Sequence, residues 1–162
     1  MIQSAMMERA ALVKLCSQEK LHPGIIRLHY SFKDEINLCE QRSLIPLRLL
    51  TSYLIDFALD LAPNGDLKEV TLKAEKLSLE CARYYTAQMV DAILFMHEAG
   101  VAHRDIKPEN CLLDADMRIK LADFGSAYVN DNLDSPRTST FVGTAMFISP
   151  EIIQRSKCDP KG

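Results

Sequence analysis

Between positions 78 and 123 the sequence passes from a helical pattern, through a charged run, into two short apolar segments and a glycine turn. Ser78 suits a helix N-cap, with Glu80 in the first turn. Tyr85, Met89, Ala92, Ile93 and Met96 then recur at helical spacing, and Gly100 stands where a C-terminal cap is wanted. The charged run is His103-Arg104-Asp105-Ile106-Lys107-Pro108-Glu109-Asn110. Segments 111–113 and 118–122 follow, with turn residues between and after them, and suit two strands of a hairpin. Asp123-Phe124-Gly125 comes next. This order sets a charged loop between a long helix and a tight hairpin, and it limits the fold more than any other feature.

The flanking sequence is read in the same way. Positions 5–15 form a helical pattern with Met6, Met7, Ala10, Ala11 and Leu15 on one broad face. His22-Pro23-Gly24 signals a turn, and 25–32 is strand-like because Ile26, Leu28, Tyr30 and Phe32 alternate with more polar neighbours. Lys33-Asp34-Glu35 reads as a turn and 36–38 as the start of a return strand. Positions 57–61 read as strand, ending at the breaker Ala62-Pro63-Asn64-Gly65-Asp66. Positions 130–140 are polar, contain Pro136 and lack periodicity, which predicts a loop.

At 162 residues the chain can bury one real core, and its 48% apolar and 25% charged content is that of a soluble globular protein. A net charge of −3 gives no sign of a nucleic-acid-binding or polybasic membrane-binding protein. Five scattered cysteines without a C-x-x-C spacing argue against a disulfide framework or zinc site and for a reducing compartment, so a cytoplasmic location is expected. The first residues carry no basic and apolar regions of a signal peptide. Positions 44–62 approach the length of a membrane span, but Pro46, Arg48, Asp56 and Asp60 argue against a transmembrane segment.

The run 103–110, the Asp123-Phe124-Gly125 turn and Ser149-Pro150-Glu151 resemble, in that order, three motifs of protein kinases. They are the catalytic loop, the metal-binding turn and a serine-for-alanine form of the motif that closes the activation segment. Singly, these are charges that any solvated loop could carry; three motifs in kinase order make coincidence negligible. The resemblance implies ATP- and Mg²⁺-dependent phosphoryl transfer to protein substrates. Asp105 would orient the substrate hydroxyl and accept its proton, and Lys107 would reach the γ-phosphate. Asn110 and Asp123 would give oxygen ligands to Mg²⁺. Lys107 favours Ser/Thr over Tyr specificity. A phosphate on Thr140 could pair with Arg104, and Thr144 would sit near Asp105 and Lys107. A pseudokinase is disfavoured, since every catalytic residue in this region is intact.

Further residues narrow the likeness. These are Glu8-Arg9, His22-Pro23, Leu28-His29-Tyr30-Ser31-Phe32, Leu61-Ala62-Pro63-Asn64-Gly65-Asp66-Leu67 and the stretch Phe141-Val142-Gly143-Thr144-Ala145-Met146-Phe147-Ile148-Ser149-Pro150-Glu151. On them the chain resembles the AGC group of serine/threonine kinases, and within it the fungal 3-phosphoinositide-dependent kinases. The implied fold is α+β and kinase-like. Positions 1–61 would be the remnant of an antiparallel-sheet N-lobe from helix αC onward, and 62–162 the start of a helical C-lobe through the activation segment. Glu8 would be the αC glutamate. Leu12, Leu28, His103 and Phe124 would stack as a spine, and Leu59 would be the gatekeeper. Asp60, Ala62, Asp66, Glu109 and Leu112 would join Glu8 and Asp123 around the nucleotide, with 60–62 facing adenine, Asp66 near the ribose and Leu112 beneath the base. Arg9 would belong to a docking pocket for phosphorylated substrate tails. Activation loops of other AGC kinases are the implied substrates.

Three departures from the family pattern shape the expectation. No glycine-rich loop or A-x-K lysine precedes Glu8, and the chain stops before the helix that anchors the catalytic loop in the family. About seventeen residues within 39–56 interrupt what is one strand in the family. That block reads as a retained intron, to be tested by transcript reads across it. On this reading the isolated chain is expected to be inactive and poorly folded. The alternative from another class is a non-catalytic fragment acting as a binding or decoy module.

Overall fold

The computed structural model describes residues 2–34, 54–130 and 144–147. Helix α1 (Ile2–Cys16) opens the chain and is followed by β1 (Leu28–Asp34) and β2 (Leu54–Leu59). Helices α2 (Leu67–Lys73) and α3 (Leu79–Glu98) come next, then four short strands: β3 (Val101–Ala102), β4 (Cys111–Leu113), β5 (Ile119–Leu121) and β6 (Tyr128–Val129). Single 3-10 turns occupy Pro108–Asn110, Phe124–Ser126 and Ala145–Phe147. The strands pair antiparallel as β1–β2, β3–β6 and β4–β5. The α+β class expected from the sequence is thus found, with helices and small antiparallel sheets.

Several elements differ in extent from the expectation, for physical reasons. On α1 the buried stripe is Ala11, Leu12 and Leu15, while Met6 is exposed. Helical spacing from Leu15 back through Leu12 leads to Glu8, so the inward face carries a carboxyl rather than Met6. β2 begins at Leu54 and ends at Leu59, whereas 57–61 was expected, and 54–56 come from the block read as an insert. Asp34 pairs with Leu54 and Phe32 with Asp56, so these three residues complete the ladder to β1. Positions 35–53, which include the expected return strand 36–38 and most of the insert, lie outside the described residues. The helix α2 was not foreseen; Asp66 Oδ1 caps it by accepting the Glu69 N–H at 2.8 Å. Among the described residues no helix is long and apolar enough to cross a membrane.

The long helix α3 has the expected limits. Ser78 accepts the Cys81 N–H at 3.1 Å, and Gly100 follows the Ala99 cap at φ +70°. A Cβ at Gly100 would lie 2.8 Å from the Asn130 carbonyl oxygen, so close approach as well as the left-handed backbone demands glycine here. Tyr85, Ala92 and Met96 turn inward and meet Cys111, Leu113, Ile119 and Leu121 in one core. The β4–β5 turn needs no glycine, because Asp114 Oδ1 accepts the N–H groups of both Asp116 and Arg118 at 2.9 Å.

The backbone of β5 is shared. Leu121 donates its N–H to the Gly24 carbonyl at 2.8 Å and accepts the Ile26 N–H at 2.9 Å. The segment entering β1 is thereby sewn to the hairpin, and α1 packs over the turn at Phe124–Ser126. Leu12 is fully buried at this junction. Leu12→Ala is expected to lower unfolding free energy by about 3 kcal/mol, and Ser78→Ala by about 1 kcal/mol. Urea denaturation checks both; equal losses would contradict the assignment of Leu12 to the core.

Candidate functional site

The polar loop between β3 and β4 is rigidly built. His103 is 2% exposed and its ring packs against Phe124 with centroids 4.8 Å apart. Its Nε2 faces the Ala122 carbonyl at 3.0 Å, and its Nδ1 accepts the Asp105 N–H at 3.3 Å. Those partners require a neutral ring carrying its proton on Nε2. Burial, the larger cause, pushes the His103 pKa down.

Asp105 is nearly buried, and both of its carboxylate oxygens are occupied. Oδ1 accepts the Thr144 hydroxyl at 2.7 Å and the Thr144 N–H at 2.8 Å. Oδ2 meets the Lys107 ammonium at 2.7 Å and the Asn110 amide at 3.2 Å. Lys107 also reaches the Thr144 hydroxyl at 2.8 Å, and Asn110 donates to the Asp105 carbonyl at 2.9 Å. Burial alone would raise the carboxyl; the ammonium and the threonine donors outweigh it and hold the pKa low. The same pairing with Asp105 raises that of Lys107.

Asp123 sits three residues beyond Lys120 at the end of the hairpin, in the left-handed conformation at φ 61° and ψ 73°. It is exposed, and its Oδ1 accepts the Gly125 N–H at 3.3 Å. The backbone bond from the Ala122 N–H to the Asn110 carbonyl, 2.9 Å, keeps Asp123 beside Asn110. Glu8 reaches the same place from α1. Burial and then the charge of Asp123 raise its pKa, and a hydrogen bond from the Phe124 N–H opposes them. Ser4 closes the contact by donating to the Gly125 carbonyl at 3.1 Å.

The remaining candidates fall into two groups. Asp60, Leu112 and Asp66 line the end of the hairpin nearest β2: Asp66 and Leu112 form an isolated bridge, and Asp60 pairs with Lys120 and His29. Ala62 is half-buried in the turn that follows. Glu109 Oε1 is bound by Lys68 at 2.8 Å, which lowers its pKa, while its Oε2 is buried with no hydrogen-bond partner among the described residues. Arg104 donates from Nε to the Ser126 carbonyl at 2.8 Å and lies 5.7 Å over the Tyr128 ring. Thr140 and Ser149-Pro150-Glu151 lie outside the described residues. The ionic partners Lys68, Lys120 and His29 were missed by sequence reading. The polar Lys120 between apolar Ile119 and Leu121 was the one available signal.

The donor set near 110 and 123 suits a hard divalent cation. The Asn110 amide nitrogen is committed to Asp105, which leaves its carbonyl oxygen as a ligand beside the exposed carboxylate of Asp123. No group of three or more His, Cys, Asp or Glu that could hold a metal occurs among the described residues. Two protein oxygens are what Mg²⁺ takes when phosphate oxygens and water complete its shell.

The family described as Protein kinase domain matches residues 2–162. The chain belongs to the protein kinase domain family. Serine/threonine-protein kinase PDK1 of Cryptococcus neoformans is 43% identical over 138 residues, or 82% of this chain and 10% of that protein. Serine/threonine-protein kinase PKH2 of Saccharomyces cerevisiae is 40% identical over 162 residues, covering 94% and 13%. Serine/threonine-protein kinase ksg1 of Schizosaccharomyces pombe is 40% identical over 152 residues, covering 86% and 23%. The kinase chain thus spans between 10% and 23% of the length of these relatives. The likeness to fungal kinases of the PDK1 type holds over most of its residues.

His103 ties this site to pH. Its depressed pKa means that the unfolded chain binds the proton more tightly, so its contribution is complete above the unfolded value of about 6.5 and is lost as pH falls below it. Unfolding free energy measured in urea is expected to fall between pH 7 and pH 5, with a shallower fall in His103→Phe. Parallel pH profiles would contradict the buried neutral ring.

Proposed function

We propose that this chain carries the catalytic loop and metal turn of an ATP- and Mg²⁺-dependent serine/threonine protein kinase. One observation supports this above the rest. The Asp105 carboxylate is ionised and fixed between the Lys107 ammonium and the Thr144 hydroxyl, beside the amide of Asn110. Such a carboxylate is a weak base. Its part is to aim the substrate hydroxyl and take its proton late, as suits a transition state with little bond formation to the nucleophile.

Around it, the exposed Asp123 carboxylate and the Asn110 carbonyl oxygen are the ligands for Mg²⁺, which when bound offsets charge on the phosphate oxygens. Lys107 can pass from Asp105 to the transferring phosphate as a mobile point charge. Glu8, its pKa raised by burial first and by the charge of Asp123 second, stands at the same corner. The base would lie along 60–62, on Leu112. Asp66 would offer its second oxygen to the ribose, and the unpartnered Oε2 of Glu109 supports a hydroxyl or amino donor there. Arg104, above Tyr128, would receive a phosphate on Thr140, and Thr144 would mark the substrate side. In this reading 1–61 belongs to a small lobe and 62–162 to a large one, and the protein is cytoplasmic. Its substrates are proteins, activation loops of related kinases first among them.

The deciding measurement is a thermal shift with Mg-ATP. A rise in midpoint supports the kinase; no rise turns the reading toward a binding or decoy module. Measurable transfer to a protein substrate would overturn the expectation that the isolated chain is inactive, and Asp105→Asn would then be expected to cut that transfer by about a thousandfold while the Mg-ATP shift persists. Asp123→Asn is expected to remove the dependence of that shift on Mg²⁺. Undiminished transfer by Asp105→Asn would sink the assignment.

A further inference from the structure

Two separated segments converge on the carboxylate of Asp60, one with Arg27 and His29 and the other with Lys120. Lys120 Nζ lies 2.9 Å from Oδ2, His29 Nε2 lies 2.8 Å from Oδ1, and the Arg27 N–H donates to Oδ2 at 3.3 Å. His29 reaches it because β1 bulges between Leu28, opposite Leu59, and Tyr30, opposite Ala58. A bulge leaves its residue out of the ladder and re-aims the side chain. The side chains of Lys120 and Asp60 are 17% and 22% exposed, so water screens this pair far less than one on the open surface.

The register of the hairpin gives the cluster a direction. Lys120 is the cross-strand partner of Leu112. Antiparallel partners stand on one face of a sheet, so Leu112 and Lys120 share the outward face while Cys111, Leu113, Ile119 and Leu121 fill the core. Lys120 therefore spans from the Leu112 face to the segment that follows β2. The Asp60 N–H is already given to the Arg27 carbonyl at 3.1 Å, which holds the start of that segment from its other side.

We propose that Lys120 is a positioning residue for the base of a bound nucleotide, acting through Asp60 to hold the 60–62 edge at a fixed height above Leu112. The inference rests on the nucleotide-binding reading above. Lys120 need not touch the ligand. Without it, the Asp60 carboxylate keeps only His29 and one N–H, and the segment gains by moving outward into water.

Adenosine and Mg-tripolyphosphate, titrated separately into the intact protein by calorimetry, test this by dividing base from phosphate recognition. Lys120→Met is expected to weaken adenosine roughly tenfold and leave Mg-tripolyphosphate unchanged. Asp60→Asn should do the same, and Lys120→Arg should bind adenosine like the parent. Lys73→Met, which breaks the exposed pair between Lys73 and Glu69, is the control and should alter neither. Unchanged adenosine binding in Lys120→Met overturns the proposal, and so does an equal loss for both probes, which would mean a general structural role. If Lys120→Met does not fold, Lys120→Gln keeps the stem and carries the same expectations. A parent protein that binds neither probe overturns the nucleotide reading itself, and this inference with it.

Discussion

The complete burial of Phe124 is the constraint on which the site depends. Its ring is packed on His103, and α1 lies across the turn that it begins. To bury the side chain there, the backbone turns sharply at Asp123, which sends the Asp123 carboxylate outward while Phe124 goes in. The Phe124 N–H then faces Glu8, and Gly125 comes so near Ser4 that a Cβ would stand 2.5 Å from its hydroxyl oxygen. Phe124 thus packs α1, the 103–110 loop and the 123–125 turn together, and the bonds from Ser4 to the Gly125 carbonyl, from Arg104 to the Ser126 carbonyl and from the Ala122 N–H to the Asn110 carbonyl hold them in place.

Charge is distributed around that contact with little left unanswered. Asp105 is met by Lys107, Glu109 by Lys68, and Asp60 by Lys120. Glu8 has burial against it and an N–H in its favour. Asp123 differs, since it is exposed and takes one N–H among the described residues. Its carboxylate stands near Asn110, an amide whose nitrogen is already engaged. Cys111 is removed from this chemistry: burial pushes its thiol up to about 11, and its sulfur faces the Met89 sulfur and the Lys107 carbonyl.

Much of this could be read in the sequence because its signals were local. Ser78 and Gly100 bound α3 since capping depends on a few adjacent residues, and the hairpin from Cys111 to Leu121 followed from two short apolar runs. Of the expected face of α1, Ala11 and Leu15 are buried while Met6 is exposed, because helical spacing alone admits more than one stripe. The start of β2 at Leu54 depended on its partner strand, which no local pattern discloses. The cluster of His29, Asp60 and Lys120 was hidden for the same reason. Its members are far apart in sequence, and a bulge brings the histidine in.

Four residues other than glycine hold positive φ, and they divide into two kinds. Glu75 and Met117 lie in exposed turns beside α2 and in the hairpin, where glycine would serve as well. Arg104 and Asp123 lie in the site, and each keeps a long or charged side chain in a conformation that L-residues resist. At both positions backbone ease is given up for a charged group, so glycine there would relax the chain at the cost of a guanidinium or a carboxylate.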